Sequence, residues 1–338
     1  MRLLRAVLVF VGTSVALLVV AAQFAPGWRP GVAEAPLDPQ PLNPRQSITY
    51  EIERIDVDGH AWVVKPMTTS NVPALVLVHG AGSKDRDELL GFAESLARKG
   101  IAAITYDKRD YSFFRRDFAA LADNAREAAD VLAAQPGIDK NRLGMLGFSE
   151  GGWVVPLALQ REPERYAFAA FLSPSFVTPL EQVAWTADRS VAWAPEFVRR
   201  VPATALASGR TVADFLDFDV EPALRQLRVP TYAIWGADDA IVPVATAVRV
   251  LTTNVAPATV RVLPDTGHSP TGDDWITDLA GWITALPSSA VEEVRGVEPA
   301  TLAGPPTPPE NAWFLNPLGH FVIALALAIA AFRRPKRQ

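Results

Sequence analysis

Residues 147–151, with the sequence GFSEG, hold a serine between two glycines and could carry covalent chemistry. Ser149 follows the short apolar run 143–148 and precedes a segment compatible with a helix. This pattern is typical of a very tight turn between a strand and a helix, in which the backbone of the serine is strained. Such a turn needs small residues two positions before and two positions after the serine. The strain lifts the hydroxyl clear of the strand and frees the backbone N–H of Glu150 to stabilise an oxyanion. Taken alone, the pattern also fits a Gly-rich turn without chemistry.

A nucleophilic serine needs an imidazole to take its proton and a carboxylate to orient that imidazole. Two later loops offer these groups: WGADDAIVP contains Asp238 and Asp239, and PDTGHS contains His268. Each loop follows a buried apolar strand, and the carboxyl ends of the strands in an open α/β sheet meet at one crevice. We therefore expect Ser149, one aspartate of the pair and His268 to form a catalytic triad.

The remaining composition excludes several other chemistries. The chain has no cysteine, so disulfides, thiolate metal sites and a cysteine nucleophile are absent. The four histidines, at positions 60, 79, 268 and 320, stand in unlike local sequences, so we predict no metal site and no organic cofactor. The net charge is −5, with no basic block outside the extreme C-terminus, which argues against nucleic acid as a partner.

Short apolar runs alternate with helical patterns along the centre of the chain, which predicts an α/β fold with a mostly parallel sheet. The predicted buried strands lie at 74–78, 101–106, 143–148, 167–172, 231–235 and 259–263. A hairpin over 48–65, turning at Asp58 and Gly59, precedes them. Residues 175–222 contain helix formers and aromatic residues without a buried strand. They predict a helical cap insertion, whose aromatic side chains form either an apolar substrate pocket or the insertion's own core.

Residues 48–286 resemble the α/β-hydrolase superfamily, with the order serine, aspartate, histidine. The segments HGAGSKDRD, YDKR and GFSEGG are similar to bacterial serine esterases and peptidase-like hydrolases of the dienelactone hydrolase and prolyl-oligopeptidase neighbourhood. The resemblance implies that Asp239 is the triad acid, with Asp238 as the alternative, and that the backbone of Ala81 is the second oxyanion donor. Relatives continue YDKR with Gly-x-Gly, whereas this chain has residues 110–112, DYS.

Three polar side chains near these motifs have less defined roles. His79 ends a buried strand, so we expect it to orient the oxyanion loop. Asp85 and Arg86 either pair and hold that loop or begin a solvated helix. The side chain of Glu150 either caps the helix after the serine or stands as a polar group in the crevice.

Both ends of the chain are apolar. Residues 1–25 predict a signal anchor or a cleaved signal peptide, and 313–332 predict a transmembrane helix or a tail helix docked on the domain. Proline-rich linkers are predicted at 26–47 and 287–312, and residues 333–338 form a basic tail. Because positive termini remain cytoplasmic, the domain between them is predicted to be extracytoplasmic.

Together these features predict a membrane-tethered serine hydrolase that cleaves carboxylic esters through an acyl-enzyme. Its partners would be a small-molecule ester or peptide substrate and, through the terminal helices, membrane lipid. Peptide or thioester cleavage with the same triad is the close alternative. A non-catalytic binding or scaffold protein on the same fold is the alternative from another class.

Overall fold

The fold is built around a nine-stranded sheet. The structure, a computed structural model, describes residues 2–29, 49–82, 84–109, 115–211, 213–299 and 307–333. The strand order is β1-β2-β4-β3-β5-β6-β7-β8-β9, parallel from β4 onward and antiparallel at β1 and β2. The strands are β1 Ile52–Val57, β2 Ala61–Pro66, β3 Val72–Val78, β4 Ala102–Tyr106, β5 Ile138–Phe148, β6 Phe168–Leu172, β7 Thr231–Gly236, β8 Ala258–Leu263 and β9 Glu293–Gly296.

The six predicted buried strands all form, as β3 to β8, and the predicted α/β fold is confirmed. The predicted runs are mostly apolar and buried because parallel strands in the middle of such a sheet are covered on both faces. The predicted hairpin is β1 and β2. Its turn spans residues 58–60, between the paired Val57 and Ala61, and Asp58 and Gly59 have φ of 53° and 73°, in the left-handed region.

Helices alternate with the strands along most of the chain. The α-helices are α1 Arg2–Phe24, α2 Leu90–Arg98, α3 Phe118–Ala133, α4 Gly151–Arg161, α5 Pro179–Ser190, α6 Glu196–Ser208, α7 Glu221–Leu224, α8 Val244–Asn254, α9 Asp274–Thr284 and α10 Pro317–Arg333. Helices α2 and α9 contribute Leu96 and Leu279 to one large core, which also contains Leu77 and Leu172 from the strands. This core fixes the strand ends that carry the polar loops.

Strand β9 corrects the prediction that 287–312 is only a linker. Glu293–Gly296 pairs in parallel with β8, and Gly296 has φ of 120° where a Cβ would lie 1.8 Å from the carbonyl oxygen of Val262. The strand was missed because four residues with two charged side chains carry no apolar run. Short, charged strands are typical of sheet edges. The predicted linker at 26–47 lies mostly outside the described residues.

The chain divides into two compact units. The sheet unit has the described residues 49–82, 84–109, 115–178 and 219–299, and includes every strand named above. The helical unit has 2–29, 179–211, 213–218 and 307–333, so the predicted insertion groups mostly with the chain ends. The insertion is helical as predicted, with no strand among its described residues.

The helical unit is held together by small apolar contacts between its helices. Ala21 of α1, Ala184 of α5 and Ala203 of α6 share a buried cluster with Trp28. The guanidinium of Arg200 lies 4.2 Å from the centre of the Trp28 ring. The aromatic residue Trp185 is fully buried, which favours the insertion having its own core, whereas Trp193 is exposed.

The two terminal helices differ in length. Helix α1 has 23 residues and is the one helix among the described residues that is long and apolar enough to cross a membrane. Helix α10 has 17 residues and begins at Pro317, because 313–315 form a separate 3₁₀ turn. At 1.5 Å per residue it extends roughly 26 Å, less than the roughly 30 Å of bilayer hydrocarbon.

Candidate active site

The turn between β5 and α4 holds Ser149 in a strained conformation, with φ of 50°. Its N–H donates to the carbonyl oxygen of Leu172 at 2.9 Å, which ties the turn to the end of β6. A Cβ on Gly147 would lie 2.3 Å from the carbonyl oxygen of Gly151, and a Cβ on Gly151 would lie 2.9 Å from that of Val78. Both positions therefore require glycine, as the sequence pattern predicted.

The aspartate and histidine loops lie against each other at the ends of β7 and β8. A Cβ on Gly236 would lie 2.2 Å from the carbonyl oxygen of Thr266 and 2.3 Å from that of Gly267, so only glycine allows this approach. The N–H of Asp238 donates to the carbonyl oxygen of Thr266 at 2.9 Å. The backbone thereby brings the next residue, Asp239, beside the histidine loop.

A continuous chain of hydrogen-bond contacts joins the three predicted catalytic residues. His268 Nε2 lies 3.0 Å from Ser149 Oγ, and His268 Nδ1 lies 2.7 Å from Asp239 Oδ2. The Asp239 side chain is fully buried, and its Oδ1 accepts the N–H groups of Ile241 and Val242 at 2.8 and 3.0 Å. Since a carboxylate can only accept, Nδ1 carries a proton and Nε2 is left to accept from the serine hydroxyl. Asp238, the alternative acid, is exposed.

The loop after β3 packs directly on the serine turn. A Cβ on Gly80 would lie 3.4 Å from Ser149 Cβ and 3.0 Å from the ring of Phe148. Ala81 follows Gly80, and Glu150 lies between Ser149 and α4, so the two predicted oxyanion donors belong to segments that meet at the serine. The positive end of the α4 dipole adds to the favourable field for an anion at this point.

Glu150 takes part in a buried charge cluster that the sequence reasoning missed. Its fully buried carboxylate does not cap α4, which corrects that alternative. It instead binds Lys108 Nζ at 2.9 Å and pairs with Arg116. The signal available in the sequence was the charged pair Asp107 and Lys108, placed directly after the buried strand β4.

His79 is completely buried at the end of β3. Burial is the main cause that lowers its pKa to about 4, and the nearby Lys108 charge acts in the same direction. The ring is therefore neutral at ordinary pH and packs edge-on against Tyr106, with ring centres 5.6 Å apart. This environment fits the predicted structural role beside the oxyanion loop.

Asp85 and Arg86 do not pair with each other. Asp85 caps the 3₁₀ turn Arg86–Leu89 and takes part in a capping box with Glu88. Arg86 binds Asp56 on β1 at 2.6 Å instead. Of the two predicted alternatives, the start of a helix is therefore the correct one for Asp85. Residues 110–112, which follow the YDKR segment, lie outside the described residues.

His60 is exposed at the hairpin turn, with Nδ1 3.2 Å from Asp107. His320 lies on α10, in the helical unit. Within the described residues there is no group of three or more histidine, cysteine or acidic side chains able to hold a metal ion.

Comparison with known proteins identifies the family. Residues 75–282 match the model of the Alpha/beta hydrolase family, which is more than half of the chain. The chain is 31% identical to Esterase EstD of Thermotoga maritima over 127 residues, a match that spans 33% of this chain and only 30% of the esterase.

Solved structures that resemble this one have low sequence identity to it. Alpha/beta hydrolase GrgF from Penicillium sp. sh18 is 16% identical with a TM-score of 0.49, over 71% of this chain and 97% of GrgF. Proline iminopeptidase from Mycobacterium smegmatis is 16% identical with a TM-score of 0.48, over 69% of this chain and 98% of that protein. This chain belongs to the Alpha/beta hydrolase family, because its sequence matches the family model over most of the sheet unit.

Proposed function

We propose that this hydrolase is a membrane-tethered serine esterase that works through an acyl-enzyme on Ser149. The observation that carries the proposal is the unbroken contact chain from Asp239 through His268 to Ser149, with 2.7 Å and 3.0 Å between the bonded atoms. Both distances lie within ordinary hydrogen-bond range, so proton transfer from the serine needs no rearrangement.

The first half of the reaction acylates the serine. His268 Nε2 takes the hydroxyl proton as Ser149 Oγ attacks the ester carbonyl carbon, and the carbonyl oxygen becomes an oxyanion. The N–H groups of Glu150 and Ala81 hold that oxyanion. When the tetrahedral intermediate collapses, His268 gives its proton to the departing alcohol oxygen, and Asp239 stabilises the imidazolium in between.

The second half hydrolyses the acyl-enzyme. His268 takes a proton from water, the resulting hydroxide attacks the acyl carbon, and the same two N–H groups hold the second oxyanion. Collapse returns the proton to Ser149 Oγ and releases the carboxylic acid. Every step uses the chain's own residues.

The choice of esters is supported by the partial likeness to an esterase, which covers only 30% of that relative's length. Membrane attachment is supported by the length and apolar composition of α1. The basic residues Arg2 and Arg5 at the start of α1 favour a cytoplasmic N-terminus, which would place the sheet unit outside.

The catalytic proposal is tested by labelling the full-length protein in detergent with a fluorophosphonate probe. We expect wild type to be labelled and Ser149→Ala to be unlabelled, with p-nitrophenyl butyrate hydrolysis lost in parallel. Ser173→Ala is the matched control, since Ser173 is also buried, follows the neighbouring strand β6 and has φ of 47°. An unlabelled wild type, or equal labelling of Ser149→Ala, would refute the proposal.

The substrate class is tested on the same protein with three sets of acyl donors. A series of p-nitrophenyl esters, a series of amino-acyl p-nitroanilides and a series of acyl thioesters report ester, peptide and thioester cleavage. We expect the highest kcat/KM on esters. A higher value on anilides or thioesters would keep the triad and replace the substrate class.

The orientation is tested by cysteine labelling, because the chain has no cysteine of its own. Met67→Cys places a thiol at a position that is 64% exposed in the sheet unit. We expect a membrane-impermeant maleimide to label this variant in intact cells. Labelling only after lysis would place the sheet unit on the cytoplasmic side.

A further inference from the structure

Lys108 is a buried lysine whose ammonium contacts the oxyanion loop and the residue after the nucleophile. Its side chain is 3% exposed. Nζ donates to the carbonyl oxygen of Gly80 at 2.6 Å and to Oε1 of Glu150 at 2.9 Å. One ammonium therefore bridges the two segments that carry the proposed oxyanion donors.

The backbone that carries Lys108 is itself fixed. The N–H of Lys108 donates to the carbonyl oxygen of Lys84 at 2.8 Å, and the N–H of Asp107 donates to that of His60 at 2.8 Å. The Asp107 carboxylate accepts the N–H of Arg86 at 3.0 Å. The ammonium is thus presented from a segment tied to both the hairpin and the turn before α2.

The bond to Gly80 constrains the donor on the next residue. The carbonyl of Gly80 and the N–H of Ala81 belong to one trans peptide unit, in which the two groups point in opposite directions. Holding the carbonyl oxygen on Lys108 therefore sets the direction of the Ala81 N–H. A charged donor on the carbonyl also polarises the peptide and makes its N–H a stronger donor.

The ion pair with Glu150 does not by itself explain why a lysine is buried here. Glu150 already has a second cationic partner, Arg116, so its carboxylate would keep a counterion without Lys108. Burial lowers the pKa of Lys108, which shows that the site disfavours the charge. A further contact of the ammonium is its bond to the Gly80 carbonyl oxygen.

We infer that Lys108 is a positioning residue that aims the Ala81 N–H at the oxyanion by holding the Gly80 carbonyl. This inference rests on the proposed serine hydrolase activity. Lys108 does not touch the substrate; it acts through the orientation and polarity of one peptide unit.

The main test replaces Lys108 with Met, which keeps the length of the side chain and removes the ammonium. Loss of one oxyanion donor lowers kcat by about 100- to 1,000-fold in serine hydrolases, so a donor that is only misaimed should cost about 10- to 100-fold. We expect that loss in kcat for p-nitrophenyl butyrate with KM little changed, because the interaction exists only in the transition state. Lys65→Met is the matched control, since Lys65 is also largely buried and donates to a backbone carbonyl, that of Pro136 at 3.3 Å.

A pair of inhibitors separates positioning from a general loss of structure. A trifluoromethyl alkyl ketone adds Ser149 Oγ to its carbonyl carbon, with the hydroxyl proton passing to His268, and so forms an oxyanion. The corresponding methyl ketone binds without this addition. We expect Lys108→Met to weaken the trifluoromethyl ketone far more than the methyl ketone, whereas structural damage would weaken both equally.

Glu150→Gln separates positioning from charge balance, because it keeps the backbone N–H and leaves Lys108 bonded to Gly80. We expect a smaller loss of kcat in Glu150→Gln than in Lys108→Met. The inference is overturned if Lys108→Met has wild-type kcat, if it weakens both ketones equally, or if Glu150→Gln loses as much kcat as Lys108→Met. These outcomes presuppose a fluorophosphonate-labelled wild type; if wild type is unlabelled, it is the proposed function that fails.

Discussion

The sheet unit and the helical unit of this hydrolase treat their apolar side chains in opposite ways. In the described part of the sheet unit, the large hydrophobic residues that remain exposed are only Met67, Ile241 and Val291. The helical unit exposes most of the outer residues of α1 and α10, such as Leu8 at 63% and Leu318 at 68%. A soluble protein rarely exposes so large an apolar surface, so the contrast supports the proposed membrane attachment through the helical unit.

The polar residues follow the same division. The sheet unit buries Asp239, Glu150 and Lys108, each with a specific partner. Buried polar groups are costly unless they are paired, so their concentration around Ser149 supports the active site proposed there. If this contrast is correct, changes in the sheet unit should alter activity and changes in the helical unit should alter location.

The largest effect is expected from Asp239→Asn. The amide would present a donor to His268 and favour the wrong tautomer, so kcat should fall by about 10,000-fold. The measurement is p-nitrophenyl butyrate hydrolysis by full-length protein in detergent. The control is Asp238→Asn, at the exposed neighbouring position, which should keep wild-type kcat. If Asp238→Asn loses activity and Asp239→Asn does not, Asp238 is the triad acid.

A smaller but large effect is expected from Gly236→Ala. The added methyl would meet the backbone oxygens of Thr266 and Gly267 and push the aspartate and histidine loops apart. We expect about 2 kcal/mol of lost stability and a fall in kcat of about 100-fold. Thermal unfolding and steady-state kinetics measure the two. The control is Gly267→Ala, where the methyl would meet open space; equal damage in both variants would contradict the explanation.

His79 should make the sheet unit less stable in acid. Its folded-state pKa is about 4, below the usual 6.5, so between these values the unfolded chain binds a proton that the folded chain does not. Stability is therefore lost as pH falls from 6.5 towards 4, by up to about 3 kcal/mol. When the unfolding midpoint is plotted against pH over this range, the slope should be steeper for wild type than for His79→Gln. A parallel pH dependence in both proteins would show that His79 is not the cause.

The smallest effect on catalysis is expected from the helical unit. Deleting residues 2–24 should release the protein from membranes in a sedimentation assay and leave kcat on a soluble ester unchanged. Ending the chain after Asn316, which removes the shorter α10, should leave it membrane-bound through α1. If the protein without α1 stays on the membrane, or if the protein that lacks only α10 is released, then α10 rather than α1 is the anchor.

Much of the sheet unit could be predicted from local sequence. Apolar runs such as 74–78 and 231–235 identify buried strands, because they are too short for a typical helix and are bounded by turn residues. Strand β9 escaped because pairing with β8 gives it a place in the sheet that its own side chains do not encode. The residues Glu150 and Lys108 escaped for a related reason. They are 42 positions apart, and only the fold brings a carboxylate and an ammonium into contact.

The amino-acid sequence is enough to order the strands along the chain and to select Ser149, Asp239 and His268 as candidate catalytic residues. It could do so because each residue stands in a short loop at a strand end, and parallel strands end at the same edge. Only the folded chain reveals that Lys108 holds the Gly80 carbonyl and that α5 and α6 group with the terminal helices. These outcomes depend on close approaches between distant segments, and periodicity and motif spacing contain no information about them.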